Sequence, residues 1–179
     1  MNKTGYFASR LLDHWPRPEE IEHYFLGPPG QRWFFETGNG SAVFNAKGVD
    51  GSDKLPPEQG RTFLELTMEG DPDLGVLLGW SKWNRHQGVD YYSKGDLARL
   101  REFVFTLHGD ARPAGLYIPF NQAWKAVKEF LQTDGQLPRS IEWVDARDLP
   151  EDTFLDPAKD SPKIKALLSE WHARRRRAR

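Results

Sequence analysis

The chain has 179 residues, enough for a single domain with a sizeable core, and its 38% hydrophobic and 13% aromatic content excludes a disordered polymer. No apolar run approaches the roughly 18 residues that span a bilayer, and Met1 to Arg10 has no apolar segment of the kind a secretory signal requires. Cysteine is absent, which excludes a disulfide framework, a thiolate metal site and a cysteine nucleophile, so the expected location is the cytoplasm.

The net charge of −1 hides a division. Arg174, Arg175, Arg176, Arg177 and Arg179 crowd the last six residues, and residues 1–173 alone carry −6. Asp134, Glu142, Asp145, Asp148, Glu151, Asp152 and Asp156 face only Arg139 and Arg147 over one stretch. Such a body repels nucleic acid, and direct binding of nucleic acid is not expected of it. The arginine run reads as a solvated helix end whose charge suits the helix dipole.

In chain order, Pro16 and Pro18 ahead of Glu19-Glu20 announce a first helix, with Ile21, Tyr24, Phe25 and Leu26 as its apolar side and Gly27 to Gly30 as its stop. Gln31–Glu36 and Ser41–Asn45, joined through Asn39-Gly40, read as a β-hairpin. Gly48 to Gly60 reads as a loop. In Thr62–Glu69, Leu64, Leu66 and Met68 alternate with Glu65, Thr67 and Glu69, the pattern of a half-buried antiparallel strand. After Gly70-Asp71-Pro72-Asp73 comes a strand over 74–83 with Leu74, Val76, Leu78 and Trp80 on one face, then strands at Val89–Ser93 and Glu102–His108, the last burying Phe103, Phe105 and Leu107. Phe120, Ala123, Trp124, Val127, Phe130 and Leu131 recur at helical spacing. Ser140–Val144 closes as a strand, and Ser161-Pro162 opens a last helix with Ile164, Leu167, Leu168 and Trp171 on its apolar side. The fold class expected is α+β: an antiparallel sheet of about five to seven strands with helices on one side and a C-terminal helix. Residues 1–157 form the domain and 158–179 the helix with its tail.

Catalytic signals are sparse. His14, His23, His86, His108 and His172 show no metal-ligand spacing, and no phosphate-binding glycine loop or nucleophile elbow occurs. The reading is of a binder rather than an enzyme, with no cofactor. Two groups of side chains carry it. Trp83, at odd strand parity opposite Trp80, together with Arg85, Asp90 and Tyr91, supplies the residue types that dominate interface energies. Glu65, Glu69, Asp71 and Asp73 around one hairpin, and Glu142, Asp145 and Asp148 at the last strand, would present a negative surface suited to a basic groove on a partner. The candidate partner-binding residues are Glu69, Asp71, Asp73, Trp83, Arg85, Asp90, Tyr91, Asp145 and Asp148.

The stretch Tyr117-Ile118-Pro119-Phe120-Asn121-Gln122-Ala123-Trp124-Lys125-Ala126-Val127-Lys128-Glu129-Phe130-Leu131, then Thr133, Gly135, Pro138 and Ile141-Glu142-Trp143, resembles the C-terminal signature of the immunity protein 1 family of bacterial polymorphic toxin systems. Gly79-Trp80, Tyr91-Tyr92 and Phe103-Val104-Phe105 fit its upstream strands, and the likeness covers about residues 61–145. Two departures stand out: the turn Thr133–Pro138 is longer than usual, and Ser140 stands where a cysteine or threonine is common. The resemblance implies an antitoxin that binds a cognate toxin domain, often a nucleic-acid deaminase, here as a one-to-one heterodimer without a membrane. Two other readings stay open. One is a regulatory or nucleic-acid-associated adaptor using the arginine tail; the other is a small hydrolase built on scattered carboxylates and His86 or His108.

Overall fold

The computed structural model describes residues 1–27, 40–56, 60–106 and 108–177. It begins with a hairpin that the sequence does not announce: β1 (Asn2–Phe7) and β2 (Arg10–Leu12) pair antiparallel across Ala8-Ser9. Both turn residues sit in the left-handed region, with φ of 51° and 60°. Asn and Gly signal such a turn because they tolerate positive φ; Ala and Ser do not, at about 1–2 kcal/mol each. Helix α1 (Pro18–Leu26) follows, opened by Pro18 and by reciprocal bonding between Arg17 and Glu20. Ile21 and Phe25 are buried, whereas Leu26 is exposed. The Gln31–Glu36 half of the expected hairpin, and most of the stop that precedes it, lie outside the described residues. Its other half is β3 (Ser41–Lys47), which pairs with β1 on one side and β4 (Phe63–Asp71) on the other. Within the expected loop, a 3-10 segment over Val49–Lys54 buries Val49 and Ser52.

β4 and β5 (Gly75–Trp83) form the longest ladder, with Phe63 opposite Trp83 and Asp71 opposite Gly75. Gly75 has φ of 107° and lies against the Ile118 carbonyl, so a Cβ there would collide with backbone. β6 (Gly88–Ser93), β7 (Phe103–Phe105), β8 (Ala111–Pro113) and β9 (Tyr117–Ile118) follow, then α2 (Phe120–Gln132), β10 (Trp143–Asp145) and α3 (Ser161–Arg177). Leu107 lies outside the described residues. Among the described residues the main sheet has eight strands in the order β10-β6-β5-β4-β3-β1-β2, with β9 also on β5; β7 and β8 form a separate pair. The class is α+β, as the alternation and helical periodicity indicate. Both edge strands, β2 and β10, are three residues long, which limits edge-to-edge pairing.

One face of the sheet, carrying Phe44, Leu64, Leu66, Met68, Val76, Leu78 and Trp80, packs under α1 and α2. Helix α2 contributes Ala123, Trp124, Ala126, Val127 and Phe130, all buried. Phe130 meets Trp15 at 4.8 Å between ring centroids. Burying a side chain such as Val127 or Phe130 contributes about 1.5–3 kcal/mol. Buried indole N–H groups find partners across the fold: Trp15 donates to the Thr4 and Asn45 carbonyls, and Trp80 to that of Gly135. The other face is divided. Toward the β4–β5 turn it is covered by Leu77, Leu116 and Tyr117 with Tyr92, Leu97, Val104, Leu149 and Phe154. Toward the β5–β6 hairpin its side chains are half-buried or exposed.

Candidate functional site

The registers place this second half-face in rows. Lys47, Phe63, Trp83 and Gly88 lie side by side across β3, β4, β5 and β6. The next row, one pleat along, is Thr4, Asn45, Glu65, Ser81 and Asp90. The row after it, at the boundary with the covered half, is Leu11, Tyr6, Val43, Thr67, Gly79 and Tyr92. These rows exist because side chains alternate with period two, so odd positions of β4 and β5 share the face opposite the helices.

Trp83 is 38% exposed and stacks on Phe63 at 5.6 Å with planes 11° apart, while the Lys47 ammonium lies 5.4 Å from the Phe63 ring centre. The indole is thus held flat by a neighbour yet remains accessible. Such pre-ordering lowers the conformational entropy that a contact must otherwise overcome. Beside it opens a cavity of about 490 Å³ lined by Lys82, Trp83, Asn84, Val89, Arg147 and Asp50, with the last bonded to Lys82 at 2.6 Å.

Glu65 is the electrostatic centre of the middle row. Burial, and then the Asp90 carboxylate, push its pKa above the ordinary range. The folded chain holds a proton at Glu65 more readily than the unfolded chain, so ionised Glu65 costs stability at neutral pH and that cost is relieved as pH falls through the raised value. Glu65→Gln therefore stabilises the free protein at pH 7, and the gain shrinks toward about pH 4. Urea denaturation at both values measures it.

The nine candidate residues do not form one patch. Trp83 and Asp90 lie on the open half-face. Arg85 is exposed at the tip of the β5–β6 hairpin, and Asp148 is exposed just after β10. Tyr91 points to the helix-backed face, packing on Trp80 at 6.1 Å. Glu69 is half-buried at the covered end, accepting from the Ser41 hydroxyl at 2.9 Å and from Arg112 at 3.3 Å. Asp71 corrects the expectation of a surface charge: it is buried, and its Oδ1 accepts the backbone N–H groups of Asp73 and Leu74, organising the turn. The pKa of the Tyr117 hydroxyl is pushed far up by burial and then by the Glu69 and Asp71 carboxylates. Asp73 is exposed in that turn, at the far end of the nine-residue strands from Trp83, about 27 Å away. Asp145 is clamped by its own neighbour: the Arg147 guanidinium at 2.6 Å, aided by the Arg147 N–H, holds its pKa at about 2. Phe63 and Lys47 were not among the candidates, although Phe63 shares the odd parity of Glu65. Lys47 requires knowledge of which strand pairs with β4.

Among the described residues no helix is long and apolar enough to cross a membrane, and no group of three or more histidines and carboxylates is placed to hold a metal ion. Residues 37–145 match the family model described as immunity protein Imm1. The fold and the match together define an immunity protein, a class that acts by binding a cognate toxin. The chain belongs to the Imm1 family. The match covers β3 to β10 and α2, including Trp83, Phe63, Glu65 and Asp90, and leaves out β1, β2, α1 and α3. No curated protein and no solved structure matches the chain.

Proposed function

We propose that this chain neutralises a nucleic-acid deaminase in the cytoplasm by binding it one-to-one, with the open half-face of the sheet over the entrance to the deaminase active site. The observation that carries the reading is the pairing, within the family-matched region, of an accessible stacked Trp83 with the Glu65 and Asp90 carboxylates one row away. A deaminase draws its base into a pocket served by a basic, nucleic-acid-tracking groove. A surface bearing flat rings and negative charge is complementary to such a groove and obstructs it without any chemistry of its own. The acidic body, −6 over residues 1–173, supports steering toward the same target.

The experiment is co-expression with the toxin encoded beside this chain. Rescue of growth, co-purification as a one-to-one complex, and loss of deamination of single-stranded nucleic acid in the purified mixture are expected. Absence of both rescue and co-purification overturns the reading; rescue from a toxin of different chemistry removes the deaminase assignment alone. Within the complex, Glu65→Lys combined with Asp90→Lys slows association by about tenfold or more at low salt, with the difference from the unaltered chain shrinking as salt rises. Stopped-flow association across a salt series measures this.

A further inference from the structure

The C-terminal helix is built differently from α2. None of the side chains described in α3 is buried, whereas α2 buries five residues. Ile164, Leu167, Leu168 and Trp171 pack on the buried face of the small β7–β8 pair, formed by Phe103, Phe105 and Ala111. Trp171 lies 5.8 Å from the Phe105 ring and Lys163 lies 6.0 Å from that of Phe103. Farther along the helix, Arg174 borders a cavity of about 270 Å³ with Asp73, Glu102 and Trp171. The apolar positions follow the i, i+3, i+4, i+7 spacing by which an amphipathic helix anchors in a groove. An isolated two-stranded pair is marginal in water, so this face needs a cover. The β7–β8 pair lies inside the family-matched span and its cover lies outside it.

We propose that the β7–β8 face is a helix-docking site, occupied in cis by α3 as a displaceable ligand. Opening exposes Phe103, Phe105 and Ala111 while the helix-backed core stays closed, because α3 contributes nothing to that core. The proposal stands apart from the toxin reading, and its test needs no toxin.

Native-state hydrogen exchange on the full chain tests it. Amides of Phe103–Phe105 and of α3 are expected to exchange about a hundredfold faster than those of β4 and β5, through a local opening. Leu168→Asp speeds exchange in β7–β8 and leaves β4 and β5 unchanged, and Arg174→Glu does the same more weakly. A synthetic peptide of residues 161–177 is expected to bind the Leu168→Asp chain and restore protection of the β7–β8 amides, and not to bind the unaltered chain. Equal protection of α3, β7 and β4–β5 in the unaltered chain overturns the proposal, whether or not the variants fold. So does failure of the peptide to bind a Leu168→Asp chain whose β4 and β5 remain protected.

Discussion

Trp83→Ala weakens toxin binding by about 2–4 kcal/mol, roughly 30- to 1,000-fold in Kd, while leaving the folding midpoint of the free chain nearly unchanged. The asymmetry follows from where the indole lies. It contributes to no buried cluster, being 38% exposed and stacked only on the half-buried Phe63. Its removal therefore opens no cavity in the core. Against a partner, the same ring is a large pre-ordered apolar surface at the margin of the carboxylate row, and its loss is felt in dissociation rather than association. Surface plasmon resonance separates the two rates. A Trp83→Ala chain that binds with unaltered affinity places the interface elsewhere; the Asp73 end of the sheet is then the next surface to alter.

Ser93→Ala destabilises the free chain by about 2–5 kcal/mol, the cost of leaving two buried backbone groups without partners. Ser93 is fully buried in β6; its hydroxyl oxygen accepts the Leu78 N–H at 2.9 Å and its O–H donates to the Leu116 carbonyl at 2.6 Å. One hydroxyl thus joins β5, β6 and the segment that leads into β9. Native domains are stable by only about 5–15 kcal/mol, so the loss is a large share of the total. Urea denaturation gives the magnitude, and Ser93→Thr, which keeps the hydroxyl, recovers part of it.

The two residues differ in how they can be found. Trp83 was legible from parity alone: counting by twos from Trp80 puts it on the face away from the helices, and it lies there. The alternation of Leu64, Leu66 and Met68 with Glu65, Thr67 and Glu69 likewise reported β4 and its two faces, and the periodicity of α2 reported the elements that sandwich the core. Ser93 gave no such sign. A serine in Tyr91-Tyr92-Ser93 is an ordinary strand end until Leu78 and Leu116, 15 and 23 residues away in sequence, are brought against it. Asp71 and Glu69 misled for the same reason. Their charge suggested a surface, but the turn amides and Arg112 turned them inward. The β1–β2 hairpin escaped because Ala8-Ser9 adopts a left-handed turn without the residues that advertise one.

By itself, the amino-acid order determined what depends on neighbours along the chain: strand and helix periods, the sign of each face, the acidic body with its basic tail, and the C-terminal signature of the Imm1 family. Only the tertiary structure decided which carboxylates are taken up by neighbouring donors. It keeps Glu65 and Asp90 on an open row and gives Asp71, Glu69 and Asp145 to a turn, an arginine and a neighbouring guanidinium. The physical reason is that a charge has no fixed role of its own. Whether it is a surface feature or a structural bond depends on the donors within about 3 Å, and long-range strand pairing brings most of those donors into place.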